Sequence, residues 1–361
     1  MRYFLAVLLL SVYSLSALAL PYSGVYFFGD SLTDVGNVQN TYAAIPHPPG
    51  APTVIPGAPY DSSGRASNGP IYADVLAQGL GFSATPSTMG GNDFAFGGAR
   101  TRYQTFGLPF MGILDQITAF RGQPGGANAN ALYVVWGGSN NLQDLIVGKT
   151  QDTLGNPIPG LGATVGDITA AILGLYAEGA RTFLVPNAPD LSLTPRVRQF
   201  GAAAQAGAHQ LSVAYNALLS VALNQLEATF SGLDIIAFDT FGVLNDVVAN
   251  PTAFGIANTT DRCYTGDDLN FTGGGSVCAN PDSYLFWDGI HPTAAVHGIL
   301  GREMLAALPE PGSLNLVVSA LLIAVASFRR QSRRNGESRQ RNAPVRQRRA
   351  GNWPITCDRA M

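Results

Sequence analysis

Five short runs of apolar, β-branched and aromatic residues punctuate the chain between Leu20 and Leu308: Val25–Phe28, Phe94–Phe96, Leu132–Trp136, Thr182–Val185 and Ile235–Phe238. Helical patterns separate them, over Ile71–Leu80, Gly112–Phe120, Val165–Glu178, Ala202–Phe230 and Thr293–Leu308. Near-continuous apolar strands alternating with helices predict a mostly parallel, five-stranded sheet covered on both faces, hence a three-layer α/β/α sandwich. No internal repeat or charged linker interrupts this stretch, so one domain is expected over 20–308. In such sheets ligands bind outside the carboxyl ends of the strands. The residues just after each strand are therefore where chemistry is expected.

Two further apolar runs do not fit the sandwich. Met1-Arg2, the run Tyr3–Leu18 and Ala17-Leu18-Ala19 form a charged start, an apolar middle and a small-x-small cut, which predicts a secretory signal over 1–19. A retained anchor is the alternative, but the run is short of the ~20 residues a span needs. At the other end, Pro309-Glu310-Pro311 ends the last helical pattern, the uncharged segment Leu314–Phe328 follows, and Arg329-Arg330-Gln331-Ser332-Arg333-Arg334 comes after it. At helical rise this segment covers about 22 Å of a ~30 Å hydrocarbon core. It reads as a marginal span with a cytoplasmic basic flank, and 335–361 reads as a basic, disordered tail.

Composition narrows the class. Of 361 residues 46% are hydrophobic and 12% charged, enough for a sizeable core and unlike a disordered chain. Up to Phe328 there are 11 basic against 22 acidic residues, whereas beyond it 10 arginines stand against Glu337 and Asp358. An acidic body repels phosphate backbones, so no nucleic-acid partner is expected. No CxxC pair or Cys/His cluster has zinc spacing, so no metal is expected. Cys263 and Cys278 bracket a loop of Gly, Asp and Asn that suits a disulfide in an exported protein, two separate thiols being the alternative.

After the first strand comes Gly29-Asp30-Ser31-Leu32-Thr33-Asp34. A serine on a tight strand-to-helix turn, its amide at a helix N-terminus, suits a nucleophile whose reaction develops an oxyanion; simple helix capping by Ser31 or Asp30 is the alternative. After the second strand, Gly97-Gly98-Ala99 lets a backbone amide approach a ligand, or is a plain turn. After the third, Gly137-Gly138-Ser139-Asn140-Asn141 offers the Asn140 amide as an oxyanion donor, or as a helix N-cap. Before the last helix stands Asp288-Gly289-Ile290-His291-Pro292, in which Asp288 can orient His291 as a base. His47, His209 and His297 read as solvated or structural.

In order, Gly-Asp-Ser-Leu, Gly-Gly-Ala, Gly-x-Asn and Asp-x-x-His resemble the blocks of the SGNH, or GDSL, hydrolase family, from Val25 to about Leu308. Asp34-Val35-Gly36-Asn37, Asn187-Ala188-Pro189-Asp190 with Thr194-Pro195, and Phe286-Trp287 extend the resemblance. It implies a flavodoxin-like sheet and an exported serine ester hydrolase without cofactor. Ser31 would attack, His291 would act as base and then acid, and Asp288 would orient His291. The amides of Ser31 and Gly98 and the side chain of Asn140 would hold the oxyanion. Asn141 departs from the Asn-Asp usual in the third block, which puts support for Asn140 in question. The substrate is expected to be a lipid or an acylated glycan ester, with the Pro-rich stretch Gln39–Pro70, including Tyr42, Ile55 and Tyr60, flanking the entrance. A silent binding or adhesive surface protein on the same fold, or a thioesterase or protease, is the alternative. The region 309–334 resembles a PEP-CTERM sorting signal, implying membrane contact through the apolar segment, an exosortase-type processing enzyme and delivery to a Gram-negative cell surface. The catalytic body is expected to be monomeric.

Overall fold

The computed structural model describes residues 22–102, 111–152 and 155–309. The expected signal segment, the sorting signal from Glu310 onward and the basic tail lie outside the described residues. Four of the five apolar runs become strands: β1 (Val25–Gly29), β2 (Leu132–Trp136), β3 (Thr182–Pro186) and β4 (Asp234–Phe238), all parallel and paired in that order. The helices, in chain order, are α1 (Asn37–Ala43), α2 (Tyr72–Gly79), α3 (Ile113–Arg121), α4 (Ser139–Ile146), α5 (Leu161–Ala177), α6 (Pro195–Arg198), α7 (Ala202–Thr229), α8 (Thr240–Ala249) and α9 (Ala294–Ala307).

Alternation along the strands creates the layers. Leu132, Val134 and Trp136 of β2 join Phe27, Leu184 and helices α2, α8 and α9 in one core. Tyr133 and Val135 join Phe28, Phe183 and helices α3, α5 and α7 in the other. The three-layer α/β/α sandwich is thus present, with every residue of β2 buried. The five-stranded sheet is a correction. The segment Asn92–Phe96 does lie beside β1, with the Phe27 amide on the Asn92 carbonyl at 3.0 Å and the Phe94 amide on the Phe27 carbonyl at 2.8 Å. It forms only an isolated bridge with β1, at Asp93: the Phe96 amide still reaches the Gly29 carbonyl at 3.2 Å, but the Gly29 amide that would continue the ladder goes to the Gln116 side chain. Its position still places it as a second element outside β1.

A small parallel pair, β5 (Asn258–Arg262) and β6 (Tyr284–Phe286), lies apart from the main sheet. Between its strands, Cys263 and Cys278 are joined by a disulfide with Cα atoms 4.8 Å apart. The enclosed loop is tied to the turn before α9: the Asp268 carboxylate accepts the Gly289 amide at 2.7 Å and faces the Arg196 guanidinium at 3.0 Å. Closing a loop of this size constrains the unfolded chain by ~3 kcal/mol. Replacing both cysteines by serine is therefore expected to lower unfolding stability by about that amount in urea titration. A loss below about 1 kcal/mol would show that the cross-link does not carry this constraint.

Candidate active site

β1 ends at Gly29, where no side chain fits: a Cβ would stand 2.7 Å from the Trp136 carbonyl oxygen and 2.6 Å from the Thr33 hydroxyl. Gln116 of α3 completes the strand end, accepting the Gly29 amide at 2.9 Å and donating to the Gly29 carbonyl at 2.8 Å. The chain then reverses, the Thr33 and Asp34 amides both donating to the Asp30 carbonyl at 2.9 Å. Ser31 sits on this turn, partly exposed. The expected helix N-terminus at Ser31 is a correction. α1 starts only at Asn37, because the Asp34 carboxylate accepts the Gly36 and Asn37 amides at 2.8 and 2.6 Å and caps it there.

The other Asp34 oxygen accepts the Gly97 amide at 2.8 Å, and Asn37 donates to the carbonyls of Asp93 and Ala95 at 2.8 and 2.9 Å. The serine turn and the glycine pair are thereby locked to one another. Gly98 has φ of 80°, a left-handed conformation that favours glycine. On the third segment, Gly138 has φ of 101° and a Cβ there would meet the Tyr215 hydroxyl at 2.5 Å, so the chain packs tightly as it enters α4. Asn140, in the first turn of α4, donates to the Ala99 carbonyl at 3.0 Å and to the Asp30 carboxylate at 3.3 Å. Asn141, the departure from the expected pattern, is wholly buried and accepts the Thr101 amide at 3.1 Å. Asp144 holds Arg100 through two bonds of 2.8 Å. Support for Asn140 therefore runs through contacts between α4 and residues 99–101.

Ser31, His291 and Asp288 come together from opposite ends of the chain. The Ser31 hydroxyl lies 2.8 Å from His291 Nε2, and His291 Nδ1 lies 2.7 Å from Asp288 Oδ2. Asp288 is fully buried. Burial pushes its carboxyl up, but the His291 charge and hydrogen bonds from His291 and Ile290 outweigh this and hold it below the ordinary value. An ionised, acceptor-only Asp288 places the proton on Nδ1 and leaves Nε2 to accept from the serine.

A fourth member is absent from the sequence reading. The Tyr60 hydroxyl donates to Asp288 Oδ2 at 2.8 Å. Burial, then the Asp288 charge, pushes this phenol far above its ordinary value, so it stays protonated and is the donor. Tyr60 and Ile55 were expected at the entrance; both are instead buried. Tyr60 packs against Tyr264, Phe271 and Trp287, and Ile55 lies in a cluster with Val38 and Phe96. Their loop folds inward because the Tyr60 ring and hydroxyl both find partners there.

Asp30 is 3% exposed, and burial raises its carboxyl to about 6, against the opposing Leu32 amide and the charges of His291 and Arg100. Between about pH 4 and 6 the folded protein therefore holds a proton that the unfolded chain has released. This contribution to stability is complete below the unfolded value and is lost as pH rises through the folded one. Asp30→Asn, which stays neutral, should gain on the wild type by about 2 kcal/mol between pH 4 and pH 7 in paired urea titrations. A stability difference that does not change with pH would contradict the assignment.

The remaining histidines stand elsewhere. His47 stacks on Tyr42 and His209 bonds Asp190 at 2.7 Å. His297 is buried in α9, where desolvation and then the His291 charge depress it to about 3. Among the described residues no group of three or more His, Cys, Asp or Glu side chains could hold a metal ion, and no helix is long and apolar enough to cross a membrane. Ser31, Gly98, Asn140 and His291 line one cleft of about 1270 Å³, which Pro56, Gly64 and Ala66 of the Pro-rich stretch also border.

The family model for GDSL-like Lipase/Acylhydrolase matches residues 25–304. A GDSL esterase/lipase of Arabidopsis thaliana is 26% identical over 342 residues, covering 84% of this chain and 95% of that protein. Esterase EstA of Pseudomonas aeruginosa is 29% identical over 333 residues, covering 82% of this chain and 48% of its own length. Among solved structures, LAE5, an alpha/beta hydrolase enzyme from the metagenome of Lake Arreo, Spain, aligns with a TM-score of 0.42 and 14% identity, over 80% of this chain and 97% of that one.

Proposed function

The chain belongs to the GDSL-like lipase/acylhydrolase family and is a carboxylic ester hydrolase; from that premise we propose that it works by a Ser31–His291–Asp288 acyl-enzyme mechanism. Ser31 attacks the ester carbonyl while His291 Nε2 takes its proton. His291 returns that proton to the leaving alcohol, and a water activated by the same nitrogen then releases the acid. Asp288 fixes the Nδ1–H tautomer and stabilises the imidazolium. The observation that carries this reading is the unbroken line of hydrogen bonds from Ser31 through His291 to Asp288, at 2.8 and 2.7 Å.

The developing oxyanion is assigned to the amides of Ser31 and Gly98 and to Asn140 Nδ2. Each such donor is worth about 10²–10³ in turnover. Asn140 Nδ2 is held at the site by Ala99 and Asp30, and of its two N–H groups the one in the longer bond, at 3.3 Å to Asp30, is exchanged for the oxyanion. Tyr60 acts as a positioning residue, sharing the Asp288 oxygen that His291 uses. Tyr60→Phe removes that donor and leaves more of the carboxylate charge for the imidazolium. The acid limb of kcat/KM is expected to move up by roughly half a pH unit, with a loss of a few-fold at the optimum. An unmoved limb would show that Tyr60 only packs.

The reading extends to export. The apolar run before Ala19 supports a cleaved signal, and the Cys263–Cys278 bond suits an oxidising compartment. Residues 20–308 form the catalytic body in this reading, and 309–334 act as a sorting signal read at the membrane by an exosortase-type enzyme, with delivery to the cell envelope. The test of the catalytic reading is hydrolysis of p-nitrophenyl acetate before and after treatment with a fluorophosphonate. Turnover that the reagent abolishes supports it; turnover indifferent to the reagent overturns it.

A further inference from the structure

The Ser31–His291 pair borders two spaces of very different size. The wide cleft of about 1270 Å³ lies on one side, with Arg196, Arg198 and Gln199 in its wall. The other is a narrow pocket of about 40 Å³ running toward Leu193, Thr240 and Leu244, beneath the carboxyl ends of the strands. Both are bordered by Ser31, Asn140, Gln143, Ile290 and His291. A carbonyl carbon attacked by Ser31 stands where the two spaces meet, so the two arms of the ester can divide between them.

Chemistry decides which arm goes where. The alcohol has to leave, and water has to enter, while the acyl group is still bonded to Ser31. The wide cleft, whose wall combines Arg196 and Arg198 with Phe200, Leu269 and Phe271, suits the departing alcohol, and the narrow pocket suits the arm that stays. Ser139 and Thr240, two of the residues around the pocket, are buried, so its walls are set by the core rather than by mobile surface groups.

Resting on the ester-hydrolase reading, we propose that this pocket is the acyl site and that its size restricts the enzyme to short acyl groups, the alcohol lying in the wide cleft. One water-sized sphere takes roughly 10–15 Å³ of such space, so the pocket holds about three, matching an acyl group of roughly two to four carbons. Leu244 and Leu193 close it, and an eight-carbon chain would have to displace them.

The experiment compares kcat/KM of the purified protein on p-nitrophenyl acetate, butyrate, octanoate and palmitate. Acetate and butyrate should lie within about tenfold of one another, with octanoate and palmitate at least 100-fold lower. Leu244→Ala lengthens the pocket and should raise the octanoate-to-acetate ratio at least tenfold. Since Leu244 is a core residue, the partly exposed Leu193 provides a second variant: Leu193→Phe narrows the pocket and should lower the butyrate-to-acetate ratio. Octanoate or palmitate turned over as well as butyrate by the wild type, or ratios unmoved in both folded variants, would overturn the proposal. If long esters are hydrolysed and a fluorophosphonate still labels Ser31, only the size restriction falls. If no ester is hydrolysed and Ser31 is not labelled, the mechanism falls with it.

Discussion

Ser31→Ala is expected to lower ester hydrolysis by about 10⁴- to 10⁶-fold while leaving the fold intact. The hydroxyl's hydrogen bond goes to His291 Nε2, at 2.8 Å. The turn itself is held by the Thr33 and Asp34 amides on the Asp30 carbonyl and by the Gln116 clasp on Gly29, none of which involves the serine side chain. Alanine therefore removes the attacking atom and little else. The variant should match the wild type in urea midpoint and circular dichroism and hydrolyse p-nitrophenyl acetate only at the residual rate that oxyanion donors alone can supply. Activity within tenfold of the wild type would contradict the assigned nucleophile.

Asp288→Asn is expected to cost about 10⁴ in kcat, more than loss of an orienting group at an exposed site, because of how completely this carboxylate is used. One oxygen accepts the Ile290 and His291 amides, both at 2.8 Å; the other accepts the His291 ring at 2.7 Å and the Tyr60 hydroxyl at 2.8 Å. Four donors converge on an acceptor-only group that no water reaches. An asparagine in either orientation presents an NH₂ to two of them. If it faces the ring, His291 is driven to the other tautomer, with Nε2 protonated and unable to take the serine proton. If it faces the amides, the turn that carries His291 opens. A decrease of less than about tenfold, measured on a folded variant, would show that Asp288 does not set the tautomer.

The sheet was legible where its strands are buried on both faces. Leu132–Trp136 has no polar residue to confuse a periodicity and is a strand over the predicted span. β5 was not legible, because Asn258–Arg262 is polar throughout and half-exposed, paired only through a local sheet that the disulfide loop closes. Helix α8 also escaped, since it begins at the polar Thr240 behind Asp239; α1, expected at Ser31, begins at Asn37 behind the Asp34 cap, and α4, expected only as one alternative at Asn140, begins at Ser139 behind Gly138. The Phe94–Phe96 run reads as a strand because it is apolar; Gln116, by taking the Gly29 amide, leaves it a short edge that delivers Gly97 and Gly98 to the cleft.

The site divides in the same way. Ser31, Gly98, Asn140, Asp288 and His291 each follow a strand or precede a helix in recognisable order, and order along the chain is what a sequence displays. Tyr60 has no such marker. It lies 228 residues from Asp288 and reaches it only because its loop folds inward on Tyr264 and Trp287. Gln116, 87 residues from Gly29, is similarly hidden inside an ordinary helix. The raised carboxyl of Asp30 depends on complete burial, which the polar stretch Gly29–Asp34 does not advertise.

The mechanism is tested most directly by finding where a fluorophosphonate attaches. The protein is labelled, digested and mapped by mass spectrometry, with His291→Ala treated in parallel. The account predicts one adduct, on the Ser31 peptide, forming quickly in the wild type and lost or slowed by orders of magnitude in His291→Ala, since the serine is nucleophilic only through the imidazole 2.8 Å away. An adduct on another serine, or labelling of Ser31 at the same rate without His291, would contradict it.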